Sequence, residues 1–206
     1  HGESLALVSD AGTPLISDPG YKLVRKAIAS GIYVTALPGP SAALMALTLS
    51  GLPSDKFMYA GFLPPKSGAR RKALGKLAVI DATLILFESP RRLAASLADM
   101  VDTLGERDIA VAREMTKLHE EFVRGDLAGL AAHYAEIGAP KGEVVVIVGP
   151  PVSNGQDLSD DVIDARLAEL LQSASVRDAA AQLAAETGLA RRELYARAVR
   201  LSSAKT

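Results

Sequence analysis

Two glycine-containing loops near the start of the chain have the composition of a ligand-binding site. One spans Asp10–Ser17 and the other Pro38–Ser41, and each follows a short apolar run typical of a buried strand. Ligands of open α/β sheets bind beyond the carboxyl ends of strands, where backbone N–H groups and helix N-termini are free. Gly12 and Gly39 would let a ligand approach the backbone, although Gly and Pro also serve simply as turn residues. Neither loop is a Gly-x-Gly-x-x-Gly or Walker sequence, so neither a dinucleotide nor a triphosphate is indicated.

A basic segment offers chemistry of a second kind. Lys66–Lys76 contains five cations and no acid in a chain whose formal net charge is −1. Lys and Arg in a glycine-containing loop suit the neutralisation of phosphates. The alternative is a solvated helix face.

Charged residues also follow two later strands. Glu88–Arg92 leads from a strand into a helix, and Arg113–Glu121 follows another strand, so both segments place charges where a pocket is expected. Surface ion pairing is the alternative interpretation of each. His119 and His133 are isolated from other ligand residues, and no metal site is predicted. No Gly-x-Ser-x-Gly sequence supports a serine hydrolase.

The elements that must position these residues begin with a βαβ pattern. We predict strands at Ser4–Val8 and Ile32–Leu37, parallel and adjacent, with a helix between them that is capped by Asp18, starts at Pro19 and ends at Gly31. Ser41 is expected to cap a further helix, Ala42–Ser50.

A second α/β domain is predicted after a boundary at Gly51–Ser54. Its clearest helix, Pro90–Leu104, is expected to be capped by Ser89 and ended by Gly105. Its predicted strands are Phe57–Phe62, Thr83–Phe87, Ile109–Ala112, Glu121–Arg124 and Glu143–Val148.

Beyond a linker at Pro150–Gln156 the chain is predicted to be helical only. Ser159 and Ser175 are expected N-caps, and Gly188 lies in a turn before the last helix, which indicates a helix-turn-helix-like module. Basic residues dominate its end and fit either a nucleic-acid surface or a protein contact: Arg191, Arg192, Arg197, Arg200 and Lys205. The predicted domains are 1–53, 54–150 and 157–206.

Composition excludes several classes of protein. The 206 residues are 49% hydrophobic and 23% charged, which is typical of a globular protein rather than a disordered one. The absence of Cys excludes disulfides, thiolate zinc sites and thiol nucleophiles. The longest apolar runs fall far short of the roughly 20 residues of a membrane span. A cytoplasmic protein is the expectation.

Five segments taken together resemble one family. They are Val8–Gly20, Leu37–Ala42, Phe87–Arg92, Ala112–Lys117 and Lys141–Val144. In this order, with the helical module after them, they resemble the ribosomal RNA small subunit methyltransferase I group of the tetrapyrrole-methylase superfamily. The resemblance implies an α/β, two-domain class III methyltransferase fold with a small all-α helix-turn-helix-like module. It also implies an incomplete first domain, because members of the group begin with an earlier strand and donor-binding loop.

The activity implied by the resemblance is transfer of a methyl group from S-adenosylmethionine to a cytidine ribose 2′-hydroxyl in 16S rRNA, usually by a homodimer. Many members of the superfamily carry Asp where this chain has Thr13, so a contact with the ribose or the amine of the donor must be made differently. Asp10 is a candidate for that contact. The donor-binding positions carried over, with Asp10 added, are Gly12, Thr13, Ile16, Ser41, Ala42, Glu88, Met115 and Gly142.

A ribose hydroxyl is a poor nucleophile, so we expect Glu88 or Glu114 to assist its deprotonation. The predicted RNA-binding cations are Lys66, Arg70, Arg71, Arg91, Arg113 and Lys117. Two alternatives stay open at this point: a tetrapyrrole C-methyltransferase acting on a polycarboxylate, and a non-enzymatic nucleic-acid-binding protein.

Overall fold

The chain divides after Pro151 into two compact units. The computed structural model describes residues 2–151, 160–187 and 189–203. In the first unit the helices are α1 (Tyr21–Ala29), α2 (Ala42–Ser50), α3 (Ser67–Leu77), α4 (Leu93–Leu104) and α5 (Leu127–Ile137). The strands are β1 (Phe57–Phe62), β2 (Thr83–Glu88), β3 (Asp108–Arg113), β4 (Glu121–Asp126) and β5 (Val144–Val148).

The five strands form one mixed sheet in the order β1-β2-β5-β3-β4. Among the described strands β1 and β2 are parallel, whereas β2–β5, β5–β3 and β3–β4 are antiparallel pairs. β5 consists of five β-branched residues, all buried, because it has neighbours on both sides and apolar clusters on both faces. With this topology the ends of β1, β2 and β3 and the starts of β4 and β5 share one edge of the sheet, called here the carboxyl edge.

The two faces of the sheet are covered differently. On the α4 face, Leu84, Leu86 and Val146 pack into a large cluster with residues of α3, α4 and α5. On the α2 face, Ile85, Ala110 and Ile147 pack mainly against the small and apolar side chains of α2, which are Ala43, Ala46 and Leu47.

α2 has the bounds predicted from the sequence and is fixed at both ends. The Ser41 hydroxyl accepts a hydrogen bond from Leu44 N (3.4 Å), as expected of an N-cap. At the other end the Arg124 guanidinium donates to Leu49 O (2.5 Å) and Ser50 O (3.2 Å), where the helix leaves carbonyls unpaired and the dipole favours a cation.

The two predicted N-terminal strands are wrong, and with them the βαβ unit. Residues 4–8 and 32–37 are irregular, and Leu5, Val8 and Leu37 are 80–91% exposed. A strand needs a neighbour to pair its backbone groups, and neither segment pairs with another strand within the described ranges. The apolar runs therefore identify an apolar surface here rather than a buried strand.

Two predicted helix starts also change. α1 begins at Tyr21 rather than Pro19, with Gly20 (φ +132°) as its cap, and an added Cβ at Gly20 would come within 2.7 Å of the Leu7 side chain. Ser89 makes no side-chain cap, because a 3₁₀ turn at Pro90–Arg92 precedes α4.

The described part of the second unit is helical, as predicted. It contains α6 (Asp160–Leu170), α7 (Val176–Thr187) and α8 (Arg191–Ser203), with a core that includes Leu167, Leu183 and Leu194. Ser175 Oγ accepts a hydrogen bond from Asp178 N (3.2 Å), in agreement with its expected capping role. Ser159, Gly188, Lys205 and linker residues 152–156 lie outside the described residues. The division of the first unit into 1–53 and 54–150 stays a prediction.

Candidate functional site

The carboxyl edge brings together residues that lie far apart in the sequence. β1 leads to Lys66, β2 ends at Glu88, and β3 ends at Arg113. The start of β5 opposes both neighbours there, since Val144 pairs with Glu88 on one side and with Arg113 on the other. The predicted site residues at this edge are Lys66, Glu88, Arg91, Arg113, Glu114, Met115, Lys117 and Gly142.

Glu114 is the centre of the most constrained group at this edge. Its Oε1 accepts hydrogen bonds from Lys117 Nζ (2.9 Å) and Glu143 N (2.9 Å), and the same Lys117 Nζ donates to Glu143 Oε2 (2.8 Å). Its carboxyl group lies against Gly142, where an added Cβ would be 2.3 Å from Glu114 Cδ. Gly142 is therefore required both by this close approach and by its φ of +97°.

The backbone around Glu114 is strained. Glu114 (φ +49°) and Thr116 (φ +65°) are non-glycine residues in the left-handed region, where such residues are uncommon. Leu15 and Ser17 in the first glycine loop share this feature. Strain of this kind concentrates at functional sites, and here it is found in two predicted site segments.

Hydrogen bonding fixes the charges of this group. The bond from Lys117 and the one from the Glu143 backbone hold the pKa of Glu114 below its usual value. Hydrogen bonds to Glu143 and Glu114 raise the pKa of Lys117. Glu114 is thus a carboxylate at neutral pH with low proton affinity, which suits it to accept a hydrogen bond better than to remove a proton.

Glu88 lies in a different environment, because it is buried. Its Oε1 accepts from Ser89 N (2.7 Å) and contacts Arg92 (2.6 Å), and its Oε2 accepts from Ser96 Oγ (2.5 Å). Arg92 keeps one buried nitrogen, Nε, that has no hydrogen-bond partner in the described part of the chain. With both oxygens engaged, Glu88 holds the end of β2 against the start of α4, and this does not fit the expected role of a base.

The two glycine loops are joined to each other and to the sheet. Thr13 Oγ1 in the first loop donates to Pro40 O in the second (2.8 Å), and the Ser17 hydroxyl lies 2.6 Å from the Tyr59 hydroxyl on β1. Asp10, Gly12, Ile16 and Ala42 are exposed, and Ser41 is half-buried at the start of α2. The predicted donor contacts in these two loops are thus held together through the Thr13–Pro40 bond.

These loops fit a ligand recognised through the backbone. An added Cβ at Gly12 or Gly39 would meet no atom of a described residue within 4 Å, so the backbone at both positions is open to a neighbour. The loop-bearing α2 side of the sheet also carries half-buried apolar side chains. Tyr59 and Phe87 stack edge to face (5.1 Å between centroids), and Met115 packs into the same cluster.

Four of the six predicted RNA-binding cations are held in ion pairs within the protein. Arg70 is buried in an ion pair with Asp99 (2.6 Å), and Arg71 pairs with Asp102 (2.7 Å), so both connect α3 to α4. Burial of Arg70 does not fit its expected contact with phosphate. Lys117 is held by Glu114 and Glu143, and Arg113 pairs with Glu121 (2.9 Å).

Three cations of the carboxyl edge are exposed and form no ion pair with any described residue: Lys66, Arg91 and Lys141. They adjoin β1, β2 and β5, which are successive strands of the sheet. These three cations, taken in the order of the strands that they adjoin, are called here the cation row. Lys141 was missed as a site residue by sequence reasoning; its place just before Gly142 was the available signal.

Within the described ranges, no group of three or more His, Asp or Glu residues could hold a metal ion. No described helix is long and apolar enough to cross a membrane.

Comparison with known proteins places the chain in a family. The model of the tetrapyrrole (corrin/porphyrin) methylases matches residues 1–131, and that of the RsmI C-terminal HTH domain matches residues 156–202. A relative from Mesorhizobium japonicum, named ribosomal RNA small subunit methyltransferase I, is 53% identical over 201 residues, which cover 97% of this chain and 68% of that protein. The chain belongs to the ribosomal RNA small subunit methyltransferase I family. The family resemblance seen in the sequence is thereby confirmed, with its methyltransferase class and its donor, S-adenosylmethionine.

Other members of the family cover the chain similarly. Relatives of the same name from Erythrobacter litoralis and Mycobacterium bovis are 53% identical over 87% of this chain and 46% identical over 95% of it. Those alignments cover 63% and 68% of the relatives, so the chain spans about two thirds of the length of the methyltransferase I proteins that it matches.

Solved structures confirm the expected fold class. The methyltransferase CobJ superposes with a TM-score of 0.51 at 20% identity, covering 68% of this chain and 62% of CobJ. Diphthine synthase superposes with a TM-score of 0.50 at 18% identity, covering 67% of this chain and 57% of that structure. At these identities the likeness concerns the fold alone.

Proposed function

We propose that the protein containing this chain methylates the 2′-hydroxyl of a cytidine ribose in 16S rRNA, with S-adenosylmethionine as donor. The observation that carries the proposal is 53% identity to a ribosomal RNA small subunit methyltransferase I over 97% of the chain. The arrangement of the carboxyl edge supports it, because a row of exposed cations suits a polyanionic substrate.

S-adenosylmethionine supplies, when bound, a methyl group activated by its sulfonium charge. The chain's own contribution is placement, which can be worth roughly 7–11 kcal/mol when two reactants are held in line. The joined glycine loops present open backbone at Gly12 and Gly39 to the donor. Met115, Tyr59 and Phe87 provide an apolar surface on the same side of the sheet.

Glu114 orients the ribose in this proposal. Its carboxylate is fixed by Lys117 and Glu143 and accepts a hydrogen bond from the 2′-hydroxyl. Glu88 acts one step away, because its buried carboxylate holds the turn that carries Arg91 at the end of β2. Lys66 and Arg91 hold phosphates of the RNA on either side of the reacting nucleotide.

A homodimer in the cytoplasm is also part of the proposal. It rests on the family resemblance, since members of the superfamily usually act as homodimers.

The test is methyl transfer from labelled S-adenosylmethionine to small-subunit rRNA by the full-length protein. Label in a ribose-methylated cytidine is the expected result. Label in a porphyrinogen instead would favour the tetrapyrrole alternative. RNA binding without donor binding would favour a non-enzymatic binding protein.

A further inference from the structure

A cleft of about 430 Å³ lies at the carboxyl edge on the α4 face of the sheet. It is formed where the start of β4, the end of α5 and the loop before β5 meet. The side chains used in the argument are Arg113, His119, Glu121, His133, Tyr134 and Lys141. It is distinct from the glycine loops, which join the sheet on the α2 face.

An unpaired polar atom marks the inner wall of this cleft. Tyr134 is 1% exposed, and its buried hydroxyl has no hydrogen-bond partner among the described residues. Leaving a buried hydroxyl unpaired is costly, and nearly all such groups in proteins have a partner. Packing does not require the hydroxyl, since Phe would fill the same apolar space beside Leu127 and Leu130. The Tyr134 hydroxyl is therefore free to donate a hydrogen bond to a bound ligand.

Charge in the cleft indicates an anion as that acceptor. Lys141 is exposed and free of ion pairs to described residues, and Arg113 has only part of its guanidinium engaged, by Glu121 (2.9 Å) and by Lys141 O (3.2 Å). The imidazoles of His119 and His133 add two further N–H donors. Glu121 is the one acid in the lining, and Arg113 neutralises it.

We propose that this cleft is an anion subsite that holds a phosphodiester group of the RNA, away from the nucleotide that is methylated. Tyr134 donates its hydroxyl to a phosphate oxygen, and Lys141, Arg113 and the two imidazoles supply the remaining donors. Lys141 also belongs to the cation row, so the subsite adjoins the end of that row next to β5. The choice of RNA as the source of the phosphate rests on the proposed function, whereas the anion site itself does not.

The first test uses inorganic phosphate as the probe and the imidazole NMR signals of His119 and His133 as the readout. Three variants are compared with the unchanged protein: Lys141→Gln, Tyr134→Phe and, as the control, Lys56→Gln. Lys56→Gln also removes one positive charge, but Lys56 lies at the other edge of the sheet, where it pairs with Asp81. We expect saturable shifts of both imidazoles, with affinity at least threefold lower in Lys141→Gln and Tyr134→Phe and unchanged in Lys56→Gln. No saturable shift, or equal affinity in all four proteins, would overturn the subsite.

The second test assigns the phosphate to RNA. Binding of a fluorescent single-stranded fragment of small-subunit rRNA is measured over a range of salt concentrations. Lys141→Gln should weaken binding about 3- to 10-fold and lower the salt slope by about one unit, as loss of a phosphate contact does. Unchanged RNA affinity in Lys141→Gln, beside weakened phosphate binding, would overturn the assignment to RNA. Failure of the proposed function is a separate observation, since it is absence of methyl transfer by the unchanged protein.

Discussion

The two edges of the sheet differ in how their charged residues are used. At the edge opposite the carboxyl edge, Arg107 is buried and donates to three carbonyls, those of Ala78, Leu104 and Gly149. Lys56 pairs with Asp81 there. At the carboxyl edge, Lys66, Arg91 and Lys141 are exposed without ion pairs to described residues, and the backbone at Glu114 is strained.

The difference separates charges that fold the protein from charges that are available to a ligand. At the far edge, polar groups satisfy carbonyls where strands and helices end, which stabilises the sheet. At the carboxyl edge, the exposed cations of the cation row pair with no described residue, and left-handed backbone at non-glycine residues costs stability. Residues that do not contribute to the stability of the fold in this way are expected at functional sites.

The largest effect on stability is expected at the far edge, from Arg107→Leu. Burial lowers the pKa of Arg107. Replacement of its guanidinium would leave the carbonyls of Ala78, Leu104 and Gly149 without this hydrogen-bond donor. The free energy of unfolding should fall by about 2–4 kcal/mol in urea titrations, while the RNA affinity of the folded fraction stays unchanged. Lys56→Gln is the control, and its free energy of unfolding should stay nearly unchanged because an exposed ion pair contributes little to stability. An equally small change in Arg107→Leu would erase the distinction between the edges.

Gly142→Ala should give the next largest effect, now at the carboxyl edge. The new Cβ would lie 2.3 Å from the Glu114 carboxyl group. The alanine would also have to adopt the φ of +97° that Gly142 has. We expect a loss of about 1–3 kcal/mol in unfolding free energy, together with loss of methyl transfer.

Gly138→Ala is the matched control for this variant. Gly138 also has a positive φ (+79°), but an added Cβ there would meet no atom of the described ranges within 4 Å. It shares the backbone strain, about 1 kcal/mol, without the collision. Full methyl transfer in Gly142→Ala would show that the position of Glu114 is not needed.

Thr13→Val tests whether the two glycine loops act together. The substitution removes the 2.8 Å hydrogen bond to Pro40 O and keeps the side-chain shape. Stability should fall by about 1 kcal/mol, and affinity for S-adenosylhomocysteine, measured by calorimetry on the full-length protein, should fall about 3- to 10-fold. Thr48→Val is the control, since the Thr48 hydroxyl donates locally, to Met45 O of its own helix (2.9 Å). Equal donor affinity in both variants would separate the loops from donor binding.

The smallest effect is a change in the pH dependence of stability. Since the folded pKa of Glu114 lies below its ordinary value of 4.5, its interactions stabilise the fold above that value and are lost as the pH falls through the lowered pKa. Glu114→Gln should therefore lose less stability between about pH 5 and pH 3 than the unchanged protein. Glu136→Gln, on the exposed side of α5, serves as the control. If stability fell with pH equally in Glu114→Gln and in the unchanged protein, the hydrogen bonds of Glu114 to Lys117 and Glu143 would not stabilise its charged form.

The sequence predicted the elements of residues 57–148 well, because local pattern and tertiary pairing agree there. The run Val144–Val148 is strand-like by composition and does lie at the centre of the sheet. The same pattern at Ser4–Val8 led to the wrong element, because apolar composition does not reveal whether a neighbouring strand is there to pair with it.

The candidate site was only partly predictable, since side-chain partners depend on the tertiary fold. Arg70 and Lys66 lie in the same basic segment, yet Asp99 of α4 captures Arg70 and leaves Lys66 exposed. Tyr134 lies within an ordinary apolar helix pattern, so nothing in the sequence marks its unpaired hydroxyl. Strand order explains the rest: it places β5 between β2 and β3 and so brings Lys141 beside Arg113.

The measurement that tests the central claim most directly is mass spectrometry of nuclease digests of 16S rRNA after incubation with the full-length protein and S-adenosylmethionine. The unchanged protein should add one methyl group to the ribose of a cytidine, and a variant combining Lys66→Gln, Arg91→Gln and Lys141→Gln should add far less at the same donor saturation. A methyl group found on a base, or equal modification by the triple variant, would contradict the account.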